Sequence, residues 1–319
     1  MSTVSLRVGL SATPYTQALF DGSVRPAGVD LRLESRFGEG LDNVGARHRM
    51  IIAGELDGGE LSISSFILAR LRGVPLRALP VFLSRRFRLR CMYCRVESSL
   101  RHPSELSGQK VTVHRYNATT PVWLKGILQN EFGVKPSDVE WYVAEPDIAE
   151  EALHPPPPEI RVHFIPPPCT REHAIELVEH GEIAAALEPY PLHANSRMRY
   201  LMEDFRRAEK EFFRRTGAYT INHLFALREE IAEAHPEIVR GLLMALREAN
   251  ALAGRYRDAN QKSEAAWERE VMGEDFSYSL KEGCARRSLN TLMEYQIQQG
   301  ILDRKPKLED LFFPETFDL

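Results

Sequence analysis

His223 is the side chain in this sequence best placed to hand a proton to a bound molecule. Imidazole titrates near neutral pH, and the residue lies in a β-rich run, Tyr219–Leu227, that carries the chain back towards its first half. The same position also fits a histidine that only hydrogen-bonds across a sheet. Arg85 and Arg86 follow a strand-like run, and neighbours on an extended segment face opposite ways, so one of them, Arg85, is expected to hold a carboxylate. The competing reading is a surface charge pair. Ser64 and Ser65 at one strand-to-helix joint, and Asn117, Thr119 and Thr120 at another helix start, offer donors to carboxylate or phenol oxygens. Helix capping alone would also explain the serines and threonines. Tyr116 suits stacking on a ring or hydrogen bonding to it, whereas Trp123, a turn into the helix, reads as core. Glu188 ends a strand; burial there would raise its pKa and make it a second acid or base, or it would repel an anion and select a cation. Gln17 and Tyr190 complete the candidate set as residues expected to face a ligand, with a place in the wall as the alternative.

No metal centre is expected from spacing. The ten histidines show no HxH, HExxH or two-histidine-carboxylate pattern, so a divalent ion would have to gather ligands from distant segments. Cys91 and Cys94 have CxxC spacing, yet no second pair completes four ligands, and on a strand positions three apart face opposite sides. These read as structural thiols, and no cofactor is predicted.

The elements that must position these groups follow from patterning. Val4–Leu10 is β-rich, Pro26-Ala27-Gly28 is a turn, and Val29–Leu33 alternates as a second strand. Arg47–Ala53 is helix-like, Leu61–Ser65 a strand, and Phe66–Arg72 a helix stopping at Gly73. Leu79–Phe82 and Cys91–Val96 add strands, and Val111–Val113 opens a new parallel unit. Thr119 and Thr120 are expected to cap a helix, with Pro121 in its first turn, that runs from Val122 to Phe132. Proline runs at 154–168 read as stiff extended surface excursions around a strand, Ile160–Ile165, with a PxxP partner motif as the alternative. Thr170–His180 is a helix, Ile183–Leu187 a strand, and Arg199–Arg215 a charged helix. Helices Pro236–Arg255, Gln261–Met272 and Glu282–Gln299 close the chain with solvated charged faces.

The chain has 319 residues, beyond the size at which single cores usually split, and 43% apolar with 27% charged residues is an ordinary globular mixture. Two lobes are expected, residues 1–97 with 220–319 in one and 98–219 in the other. A net charge of −4 from 41 basic and 45 acidic residues lacks the basic surplus that nucleic acid favours. No run approaches the roughly 18 apolar residues of a membrane span, and the start Met1–Gln17 has neither a cationic segment nor a long apolar one. The expected partner is therefore a small molecule rather than a membrane or nucleic acid, the expected location the cytoplasm, and self-association into a homo-oligomer is left open.

Several phrases together resemble the 4,5-dihydroxyphthalate decarboxylase family. They are Leu19–Gly22 with Pro26–Asp30, Glu55–Asp57 with Leu61–Phe66, Pro80–Arg85, Tyr116–Thr119 with Val122-Trp123, Arg214–Gly217 with His223, and the C-terminal Tyr295–Gly300 and Leu311–Thr316. Each phrase alone is weak, but their order and spacing cover nearly the whole chain. The resemblance implies an α/β fold of the periplasmic-binding-protein type II kind, two-lobed with the site in the inter-lobe cleft. It also implies a decarboxylase of a hydroxylated aromatic carboxylic acid, cofactor-independent or metal-assisted, which protonates the ring carbon as CO₂ leaves. Two places depart from the family's pattern. Tyr15-Thr16-Gln17-Ala18 stands where relatives read Tyr-Asp-Arg-Thr, and Leu187-Glu188-Pro189-Tyr190 lacks an arginine expected after the strand. Arginine is suited to bidentate carboxylate recognition, so these departures bear on whether the substrate carries two carboxylates. The alternatives are a non-catalytic protein that captures a small anion or aromatic acid, and a different lyase on the same scaffold.

Overall fold

The structure, a computed structural model, describes residues 3–35, 44–145, 155–189 and 196–318. Two compact units divide the chain. The first comprises Met1–Arg86, Ile221–Arg286 and Pro306–Leu319, the second Phe87–Thr220 and Arg287–Lys305.

The first unit is built on strands β1 (Val4–Gly9), β2 (Val29–Glu34), β3 (Gly58–Ser62), β4 (Leu76–Arg85) and β11 (Ile221–Arg228), in the order β2-β1-β3-β11-β4. β1 runs parallel to β2 and β3, whereas β11 is antiparallel to both β3 and β4. The carboxyl ends of the first four strands and the amino end of β11 therefore share one edge. Open α/β sheets bind ligands outside that edge. Alternation along each strand sends Leu6, Val8, Leu79, Val81, Leu83, Phe225 and Leu227 into a core closed by Ile238, Leu242 and Leu246 of the helix Glu237–Ala251. Gly59 sits at φ +146, and a Cβ there would collide with the Gly9 carbonyl oxygen. Only glycine lets β1 and β3 approach this closely, and Glu60 is the next residue of β3.

The second unit holds β5 (Met92–Arg95), β6 (Lys110–Val113), β7 (Glu140–Val143), β8 (Arg161–Phe164), β9 (Ala185–Leu187) and β10 (Met198–Tyr200), in the order β10-β5-β9-β6-β7-β8. β6 to β9 are mutually parallel; β5 is antiparallel to β9 and β10 to β5. Here too the carboxyl ends of the parallel strands meet the amino end of the antiparallel one.

Several expectations change. The segment 87–97, expected in the first lobe, belongs to the second unit because β5 pairs with β9 and β10. Residues 287–305 join it too: Gln299 Nε2 donates to the Val122 carbonyl at 2.8 Å, and Tyr295 packs edge-on against Trp123. Arg199–Arg215 is not one helix. Met198–Tyr200 pairs as β10, and the helix starts at Phe205. Ile63, Ser64 and Ser65 are already helical, in Ile63–Leu71, so β3 ends earlier than alternation alone implied. Ala118, not a threonine, is the cap residue of Thr119–Phe132. Both threonines already lie in the first turn, where a side chain no longer reaches forward to cap. Of the proline-rich stretch 154–168, residue 154 lies outside the described residues.

Candidate functional site

At the edge of the first sheet a buried carboxylate organises a charged cluster. His223, at the amino end of β11, lies directly opposite Ser62 of β3, and Phe225 lies opposite Glu60. Glu60 and His223 are thus diagonal neighbours on one face, within reach of long side chains. His223 Nδ1 is 2.6 Å from Glu60 Oε1. The second carboxylate oxygen accepts the Ser11 backbone N–H at 3.0 Å and pairs with Arg47 at 3.2 Å. Arg47 and His48 come from the helix Val44–Ala53 and are fully buried, and the His48 ring meets the His223 ring edge-on at 5.3 Å. Burial of Glu60 pushes its pKa upwards, but Arg47, His223 and the Ser11 N–H outweigh that, holding the carboxyl well below the usual carboxylate range. The carboxylate fixes Nδ1 of His223, so Nε2 is the nitrogen left to exchange a proton with a ligand.

Arg85 closes β4 on the same edge, on the strand next to β11; Ile221 pairs with it and His223 with Ser84. Its side chain is half-buried. Its Nη1 donates to the Phe82 carbonyl at 2.6 Å and to Asn250 Oδ1 at 2.8 Å, and its guanidinium lies over the rings of Tyr15, Phe276 and Tyr278. Gln17 opens the short helix Gln17–Phe20 that follows β1 and is half-buried. Ser64 and Ser65 are buried in the first turn after β3.

In the second unit, Glu188 directly follows β9, its backbone N–H bonded to the Cys91 carbonyl at 2.9 Å. The side chain is 1% exposed. Arg171, first residue of the helix Arg171–His180, donates to Oε2 at 2.6 Å, while Oε1 is buried with no hydrogen-bond partner among the described residues. Burial dominates here and, with Glu145 and Glu172 adding repulsion, pushes Glu188 up to about 7 despite Arg171. Tyr116 and Asn117 follow β6 and are buried, as are Thr119 and Thr120. Lys125 donates to the Tyr116 carbonyl at 2.9 Å and sits 3.1 Å from its ring centre. Tyr190 lies outside the described residues.

The sequence reading missed Glu60, Arg47 and His48. A partial signal existed: Glu60 directly precedes the apolar-rich Leu61–Leu68, and Arg47-His48 stand one residue before Met50-Ile51-Ile52, so charges sit at the start of segments bound for a core. Among the described residues no group of three or more His, Cys, Asp or Glu side chains could hold a metal ion.

Comparison with known proteins now adds to this geometry. A 4,5-dihydroxyphthalate decarboxylase from Comamonas testosteroni is 27% identical over 336 aligned residues, covering 100% of this chain and 99% of its own length. Along its whole length, then, this chain is similar to a 4,5-dihydroxyphthalate decarboxylase. A second protein of that name, from Pseudomonas putida, is 31% identical over 142 residues, 44% of this chain and 53% of that protein. No protein-family model matches. Among solved structures, a periplasmic sulfonate-binding protein SsuA from Methylobacillus flagellatus KT superposes with TM-score 0.57 at 10% identity, over 100% of this chain and 94% of that one. The fold is that of the periplasmic binding proteins. No helix among the described residues is long and apolar enough to cross a membrane.

Proposed function

We propose that this chain is a decarboxylase of a hydroxylated aromatic carboxylic acid, with His223 as the proton donor to the ring. The observation that carries the reading is the 2.6 Å contact between His223 Nδ1 and a Glu60 carboxylate held ionised by Arg47. An ionised partner at Nδ1 orients the ring and leaves Nε2 to face the reacting carbon, as a general acid requires. In the step itself, the ring carbon bearing the carboxylate takes the proton from Nε2 of the His223 imidazolium. The bond to the carboxylate carbon then breaks, CO₂ leaves, and that bonding pair restores the aromatic ring. His223 ends neutral, its Nδ1–H still on Glu60, and regains a proton from water. An ortho or para hydroxyl supplies electron density to the carbon being protonated, so the ring serves as its own electron reservoir and no organic cofactor is invoked. The full-length similarity to a 4,5-dihydroxyphthalate decarboxylase supports this substrate class.

The test is CO₂ release from 4,5-dihydroxyphthalate and hydroxylated benzoates, before and after dialysis against a chelator. Turnover should survive the chelator, and His223→Ala should lower kcat far more than it raises KM, since a proton donor acts in the transition state. Equal kcat in that variant would remove His223 from the mechanism. Tight binding with no CO₂ from any of these acids would make the chain a binding protein.

A further inference from the structure

Around Tyr15 and Tyr278 the first unit gathers three arginines. Arg85 lies 4.5 Å from the centre of the Tyr15 ring and 5.5 Å from that of Tyr278. Arg247 lies 5.4 Å from the same Tyr278 ring, and Arg257 lies 5.2 Å from Tyr15. Arg247 and Asn250 are three residues apart on the helix Glu237–Ala251 and so share a face. Asn250 ties the corner together, its Oδ1 accepting from both Arg85 and the Tyr278 hydroxyl. Tyr15, Arg85, Arg247 and Tyr278 are all half-buried, so each keeps part of its surface exposed.

Arg247 Nε is buried without a hydrogen-bond partner, and no carboxylate pairs with Arg247 among the described residues. Burial lowers its pKa, and Tyr278 is the one group that offsets the effect. Two guanidinium groups over one ring repel each other, and Arg247 loses hydration with no carboxylate partner among the described residues. Such an arrangement is costly in the free protein and becomes favourable when an anion enters.

We infer that Arg247, with Arg85 and the Tyr15 and Tyr278 rings, forms a binding site for a carboxylate borne on an aromatic ring, Arg247 being the specificity-determining group. The inference rests on the decarboxylase reading for its ligand class and assigns that ligand's anion a second arginine. Arg247 makes good the positive charge that Gln17 does not supply, two residues along from Tyr15.

Benzene-1,2-dicarboxylate, which lacks the hydroxyls that drive decarboxylation, is the probe, with benzene-1,2-dicarboxamide as the neutral control and inorganic phosphate as the competitor. Arg247→Met keeps the apolar stem and removes the charge. It should weaken dicarboxylate binding about tenfold or more, as expected for a lost charge-assisted hydrogen bond, leave dicarboxamide binding unchanged, and keep or raise Tm. Arg247→Lys should bind between the two. Phosphate should compete only weakly; competition equal to the dicarboxylate would overturn the aromatic-carboxylate assignment. Unchanged dicarboxylate affinity in Arg247→Met, or a lowered Tm in both variants, would overturn the site. His223→Gln separates the two readings. If it and the wild type release no CO₂ while Arg247→Met still weakens binding, the arginine site stands and the decarboxylase fails. If CO₂ is released with the same KM in Arg247→Met, the decarboxylase stands and the arginine site fails.

Discussion

Each unit buries a glutamate at the carboxyl edge of its sheet and gives it an arginine, yet the two carboxyls are driven in opposite directions. Glu60 is 3% exposed and held well below the usual carboxylate range; Glu188 is 1% exposed and pushed up to about 7. Burial is nearly equal, so it does not decide the outcome. The number of compensating groups does. Glu60 has Arg47, His223 and the Ser11 N–H across both oxygens. Glu188 has Arg171 on one oxygen, nothing bonded to the other among the described residues, and two glutamates adding repulsion. One arginine does not offset the loss of hydration of a buried carboxylate, whereas a network does. The same residue type thus becomes a fixed anion that supports a histidine in one unit and a near-neutral acid in the other.

The largest effect expected from breaking this contrast is on chemistry. His223→Ala should reduce kcat by about 10²–10⁴-fold, the usual contribution of a positioned proton donor, measured as CO₂ release at saturating substrate. Next comes Glu60→Gln, which removes the carboxylate that pairs with buried Arg47. It should cost about 3–5 kcal/mol in urea unfolding, much of it recovered when Arg47→Met is added, because a buried pair is harmed most by removing one partner.

The third test reads the sign of the contrast. Glu60 has a depressed pKa, so its contribution is fully present above the ordinary value of 4.5 and is lost as pH falls through the native value. The stability gap between wild type and Glu60→Gln should therefore close in acid. Glu188 behaves oppositely. Its native form holds a proton that the unfolded chain releases, so stability should fall as pH rises from 4.5 to about 7, by on the order of 3 kcal/mol. Glu188→Gln should flatten that slope, and an unchanged slope would mean that Glu188 is ionised in the native protein. The smallest effect is expected from Arg171→Met at pH 6, about 1–3 kcal/mol, because Glu188 can stay protonated when its one partner is removed. A loss as large as that of Glu60→Gln would erase the distinction between the two units.

How much of this was legible beforehand differs between the two edges. In the second unit Tyr116, Asn117, Thr119, Thr120 and Glu188 follow strands β6 and β9 in sequence, so strand-then-helix patterning was enough to gather them as candidates. In the first unit His223 and Arg85 could be picked singly by residue type, but not their surroundings. Glu60 and His223 are 163 residues apart, and Arg85 and Asn250 165 apart. No local pattern links such pairs. The unit boundary failed for a related reason: β5 reads as a strand from its own residues, but which sheet it joins depends on its pairing with β9 and β10.

The sequence by itself determined the α/β alternation, most of the strands and helices, and, through phrases spread along the chain, the resemblance to dihydroxyphthalate decarboxylases. Those properties rest on near-neighbour periodicity and on the order of short motifs, which a linear chain carries openly. Only the tertiary structure decided that Glu60 would be an anion beneath His223, that the Glu188 pKa would be pushed up to about 7, and that Arg85 and Arg247 would share one tyrosine ring. Ionisation and pairing depend on which distant groups surround a buried charge, and strand register and packing set that arrangement.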